Sequence, residues 1–142
     1  MENYHLQPKY SRLENTENGN GGWMASIDSQ LTPWIQVDLQ AVKVILKIAT
    51  QGRHGFDPHQ FVMSYTLETT YQHDIANLEY LRDDRGNIQA FSGNFDADSI
   101  VEHDLDLVAA RFVRLHVENF TIRATLRWDL WTQTNEGKYL HV

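Results

Sequence analysis

The chain has 142 residues, 42% of them hydrophobic and 22% charged, a length that suits one compact domain able to bury about two-thirds of its unfolded surface. It contains no cysteine, which excludes thiol nucleophiles, disulfides, cysteine–zinc sites and iron–sulfur ligation, and no apolar run reaches the roughly 18 residues of a spanning helix. Twelve Lys and Arg against nineteen Asp and Glu give a net charge of −7, which disfavours nucleic acid, or an anionic membrane bound through bulk charge alone.

In chain order, the opening residues Met1-Glu2-Asn3-Tyr4-His5 lack the basic-then-apolar layout of a signal peptide, and the first turn-rich segment is Asn18-Gly19-Asn20-Gly21-Gly22. Ile35, Val37 and Leu39 alternate with Gln36 and Asp38, the period of a half-buried strand. The apolar run 42–50 predicts a central strand buried on both faces. After a loop at 52–58, Phe61, Met63, Tyr65 and Leu67 alternate with Val62, Ser64, Thr66 and Glu68. Shorter strands are expected at 78–82, 88–91 and 100–107, separated by turns at 83–87 and 92–99. Two more alternating strands follow, one through Val113, Leu115 and Val117, the other through Ile122, Ala124, Leu126, Trp128 and Leu130 with Arg123, Thr125, Arg127 and Asp129 on its polar face. From Thr132 the alternation is lost, so one domain over 1–131 with a C-terminal tail at 132–142 is expected. About eight short strands and no amphipathic helix of three turns predict an all-β antiparallel sandwich or jelly roll.

Several blocks are distinctive and occur in a telling order: Gly21-Gly22-Trp23, Trp34-Ile35-Gln36-Val37-Asp38-Leu39, Thr50-Gln51-Gly52-Arg53, Ser64-Tyr65-Thr66-Leu67, Phe91-Ser92-Gly93-Asn94, Ala110-Arg111-Phe112-Val113-Arg114-Leu115 and Leu126-Arg127-Trp128-Asp129-Leu130. This succession resembles the discoidin family, also called the coagulation factor type C domain. The resemblance implies an eight-stranded jelly-roll β-sandwich, extracellular and non-catalytic, that binds glycans, phospholipid head groups or proteins through loops at one end. Relative to that pattern the chain starts late and lacks the two terminal cysteines. The expectation is therefore a sandwich without the usual first strand, its free edge covered by the C-terminal segment or a partner chain.

Mapped onto this sequence, the ligand end of such a domain comprises residues 4–6, 15–28, 53–60 and 119–122, and its candidate ligand-binding residues are Trp23, Asp28, Arg53, His54, Phe56, His59, Phe120 and Arg123. An aromatic face, a carboxylate and cationic donors are what a sugar requires, since sugars present apolar C–H faces beside directional hydroxyls. Cell-surface or matrix carbohydrate is the preferred ligand. Phosphatidylserine is the alternative, resting on Phe56 and Phe120 as apolar tips, and a protein partner is a third reading. Oligomerisation would add avidity. No cofactor is required, although Asn15, Glu17, Asn18 and Asp129 supply oxygen ligands of the kind calcium takes in some relatives. His54, His59, His73, His103 and His116 form no zinc-binding spacing, and Glu102-His103-Asp104 alternates across a strand, so no catalytic or metal-ligating residue is assigned. Arg12, Arg111, Arg114 and Arg127 are expected to pair with strand groups such as Asp38. Asn119-Phe120-Thr121 is a glycosylation sequon.

Overall fold

The computed structural model describes residues 9, 11–16, 21–26, 32–55, 58–133 and 139–141, the last three by backbone alone. Among them are eight strands: β1 (Trp23–Met24), β2 (Trp34–Gln51), β3 (Val62–Thr70), β4 (Glu79–Tyr80), β5 (Phe91–Ser92), β6 (Val101–Phe120), β7 (Thr125–Gln133) and β8 (Tyr139–His141). Every pairing is antiparallel. The order is β1-β7-β2-β6-β3-β4, with β5 added to β3 and β8 to β7. The 3-10 turn Ile75–Asn77 is capped by the Asp74 carboxylate, which accepts from the Ala76 amide.

β2 and β6 run together for most of their length, and their register breaks between Asp38 and Lys43 and again between Ile45 and Lys47. Gln40, inside the first break on β2, and Leu107, inside the stretch of β6 opposite the second, hold left-handed backbone at φ 67° and 47°. Bulges of this kind bend a strand and increase its twist, so one two-stranded ribbon contributes to both layers of the sandwich. Ile35 and Leu39 before the bend and Ile45 and Ile48 after it belong to a single buried core with Tyr65, Leu67, Leu115, Leu126 and Trp128. At the bend, Arg111 grips Asp38 with two parallel hydrogen bonds of 3.0 and 3.1 Å, the pairing expected of that arginine.

Three expectations from alternation are corrected. Along β3 the register shifts between Val62 and Ser64 and between Ser64 and Tyr65, so Val62 joins the core and Met63 faces out, while Tyr65 and Leu67 stay buried. Ile122 is not a strand residue. It occupies a tight turn at φ 57° and is exposed. Finally, Thr125, Arg127 and Asp129 are not a solvated face but are buried with the residues between them, because β1 and β2 flank β7 in the sheet and segments around residues 12–15, 52 and 97 pack onto its polar side. Burial on both faces also hides the strand's end from periodicity: Thr132 and Gln133, assigned to a tail, continue β7, and Tyr139–His141 pair with Trp131–Gln133.

Candidate functional site

The loops at 21–26, 52–60, 93–99 and 121–124 meet at one end of the sandwich because their backbones approach too closely for side chains. A Cβ on Gly21 would lie 2.6 Å from the His54 carbonyl oxygen, and one on Gly52 would lie 2.8 Å from Phe61 Cβ and 2.9 Å from Ala97 Cα. Glycine is the residue that permits both contacts. The His54 amide donates to the Gly21 carbonyl (2.9 Å) and the Arg53 amide to the Gln60 carbonyl (2.9 Å), closing the 52–60 loop against the first.

Beneath these loops sits Arg127, 1% exposed. Its Nε donates to Gly52 O (2.7 Å), its Nη1 to Asn15 O (3.0 Å), and its Nη2 to Ala97 O (2.9 Å) and Asp98 Oδ1 (3.0 Å). One guanidinium thus ties three loop segments to β7. Asp98 also meets His54 Nδ1 at 3.1 Å. The His54 hydrogen bond, followed by the contribution of Arg127, holds the Asp98 carboxyl below its usual range despite partial burial. Asp96 caps the same turn through the Ser99 amide and hydroxyl, both at 2.6 Å. Arg127 was expected to be structural, and it is, but carbonyls are its main partners.

The face these loops present carries Arg53 and Arg123. Arg53 Nη1 donates to Gln60 Oε1 (3.2 Å), and Gln60 Oε1 also accepts from Thr125 Oγ1 (3.4 Å). Burial and then the positive charge of Arg123 hold the Arg53 pKa below the ordinary arginine value, which places the two guanidinium groups within each other's field. Arg123 Nη1 is buried and has no hydrogen-bond acceptor among the described residues. Phe120 (42% exposed) and Ile122 (59%) stand just before Arg123 in the chain, and Phe95 (72%) lies on the 93–99 loop, where the Asn94 amide bonds to the carbonyl of Val62, the register partner of Phe120.

Of the residues named from sequence, Arg53, His54, His59, Phe120 and Arg123 come together here, His59 through its carbonyl, which accepts from Thr121 Oγ1 (3.2 Å). Trp23 is 7% exposed, opposite Leu126, and belongs to the core. Asp28 and Phe56 lie outside the described residues, as do Glu17 and Asn18 of the calcium set; Asp129 accepts from the Leu13 amide and pairs with Arg12 at 3.3 Å. Among the described residues no group of three or more His, Asp or Glu is placed to hold a metal ion. Sequence reasoning missed Asp98 and Phe95, and it placed Gln60 and Ile122 in the ligand-end segments without naming them as candidates. The turn signals at 92–99 marked a loop but could not reveal that it folds over Arg127.

An antiparallel jelly roll whose loops converge on a cationic, partly apolar end defines a class of sandwich domains built around a loop-borne binding surface. The chain matches the F5/8 type C domain family over residues 2–133, and it belongs to that family, whose members bind carbohydrate, phospholipid or protein. It is 35% identical over 135 residues to the venom prothrombin activator pseutarin-C non-catalytic subunit of Pseudonaja textilis, covering 94% of this chain and 9% of that protein. It is 32% identical over 118 residues to retinoschisin of Mus musculus, covering 82% of this chain and 50% of that one. The fold is similar to discoidin II of Dictyostelium discoideum, with TM-score 0.70 and 26% identity over 87% of this chain and 49% of that one. The chain thus spans at most about half of these proteins.

Proposed function

We propose that this domain is a non-catalytic, extracellular binding module that recognises carbohydrate on a cell surface or matrix through the Arg53–Arg123 end. The observation that carries the reading is Arg123 Nη1, a buried donor with no acceptor among the described residues, within the field of a second guanidinium and three residues on from the exposed Phe120. A desolvated, unpaired donor is costly to the free protein and is offset when a ligand oxygen reaches it. Vicinal hydroxyls match a guanidinium edge, and Phe120 offers an apolar surface for the sugar's C–H face. Phosphatidylserine remains the second reading, and a specific observation favours it: Ile122 (59%) and Phe95 (72%) are apolar and more exposed than Phe120 (42%).

The test is a glycan array run beside anionic and neutral liposomes, using wild type, Arg53→Ala and Arg123→Ala, each checked for native melting. The expected result is glycan binding that both substitutions abolish. Vesicle binding without glycan binding would transfer the assignment to lipid, and silence on both surfaces would leave a protein partner as the reading to pursue.

A further inference from the structure

The sequon Asn119-Phe120-Thr121 is built into the end of β6 in a way that separates its three residues. Asn119 is exposed and stands in register opposite Ser64 of β3, which in turn stands opposite Ser92 of β5. Phe120 is instead the register partner of Val62, a core residue. Register partners of an antiparallel pair share a face, so the Asn119 amide stands on the side that carries Ser64 and Ser92. That side is a row of two small residues, Ser64 and Ser92, ending at the short edge strand β5. The third sequon residue, Thr121, accepts from the Phe61 amide (3.2 Å) and donates to His59 O (3.2 Å), so its hydroxyl is occupied once the chain has folded.

We infer that Asn119 is an N-glycosylation site, modified before β6 closes, whose glycan covers the β3–β5 edge and leaves the Arg53–Arg123 end open. The inference rests on the extracellular reading above. In the reaction, Asn119 Nδ2 bonds to the anomeric carbon of a lipid-pyrophosphate-linked oligosaccharide. The carbon–oxygen bond to pyrophosphate breaks, the lipid pyrophosphate departs with the electron pair, and the amide loses one proton to a base. The hydroxyl of Thr121, which the transfer machinery reads in an extended chain, is free only before it takes its place on His59 and Phe61, which fixes the order of modification and folding. On the folded domain the glycan shields the short strand β5 at the sheet edge, the kind of edge that sheet proteins commonly keep covered.

The experiment expresses the chain behind a cleavable secretion leader in animal cells, as wild type, Asn119→Gln and Thr121→Ser. The secreted wild type is expected to lose the mass of one glycan on treatment with a peptide-N-glycosidase, leaving aspartate at 119 in the peptide map. Thr121→Ser keeps both the sequon and the hydroxyl and retains the modification, whereas Asn119→Gln abolishes it without lowering the melting temperature. Secreted, folded wild type with unmodified Asn119 overturns the inference, whatever the domain binds, because the leader supplies passage through the secretory route. Glycosylated and enzymatically deglycosylated protein are expected to bind immobilised ligand equally. A glycan that blocks binding overturns its placement on the β3–β5 side.

Discussion

At the scale of single residues, two side chains at the loop end are held in opposite kinds of tension. Ile122 adopts φ 57° while more than half exposed. A β-branched residue in the left-handed region is strained by about 1–3 kcal/mol, a cost that glycine would not bear. Ile122→Gly is therefore expected to raise stability by about 1 kcal/mol in urea denaturation, the gain being reduced by the greater freedom of glycine in the unfolded chain. If the same variant loses vesicle binding while keeping glycan binding, Ile122 is a membrane contact. A stability loss instead would show that its side chain packs. Arg127 has the reverse character: buried, with every nitrogen used. Arg127→Met removes charge-assisted bonds to three carbonyls and is expected to cost about 3–5 kcal/mol, a fall in melting temperature of about 10–17 °C. Asp98→Asn, at an exposed carboxylate, is expected to shift the melting temperature far less. Equal effects would mean that the ion pair, not the carbonyls, is what Arg127 is for.

At the scale of elements, the period of two exposed β2 and the second half of β6, where Ile35, Val113, Leu115 and Val117 point inward as their spacing requires. It failed in physically identifiable places. The β3 bulge reverses the phase at Val62 and Met63, and no residue type announces a bulge there. On β7 the polar residues Thr125, Arg127 and Asp129 are buried because neighbouring segments supply their partners, and a pattern of types cannot see partners distant in sequence. The candidate site followed the same division. Arg53, His54, Phe120 and Arg123 were legible through the family resemblance, whereas the Asp98–His54–Arg127 linkage required the folded loops. The strand core also carries a titration. Tyr65 is fully buried on β3, stacked on Phe91 at 5.3 Å, with no partner for its hydroxyl among the described residues, and burial pushes its pKa up from the ordinary tyrosine value. A raised native pKa means that its stability contribution is complete below the unfolded pKa of about 10 and is lost as pH rises beyond it. Unfolding by urea followed from pH 8 to about pH 11 is expected to show a decline that Tyr65→Phe removes in part. An unchanged slope in that variant would assign alkaline sensitivity elsewhere.

Over the whole molecule, the charge is unevenly placed. The net charge is −7, yet the loop end presents Arg53 and Arg123, while Asp83, Asp84, Asp104 and Asp106 line a cleft of about 420 Å³ beside the β6 bend. Such a distribution makes the two binding readings separable by salt. A neutral glycan would meet Arg53 and Arg123 through hydrogen bonds made in a partly desolvated site, where mobile ions screen little, and the apolar face of Phe120 is indifferent to salt. An anionic vesicle would be attracted at a distance by the cationic end and repelled by the rest of the molecule, so that attraction collapses as the screening length shrinks. Binding measured from about 50 to about 500 mM sodium chloride, a range over which the screening length falls roughly threefold, is therefore expected to change little for an immobilised glycan. Across the same range, any affinity for phosphatidylserine vesicles is expected to fall steeply. A glycan affinity that drops as steeply as the vesicle affinity would mean that the ligand is itself charged, and would move the reading from neutral sugar to an acidic one held between the two arginines.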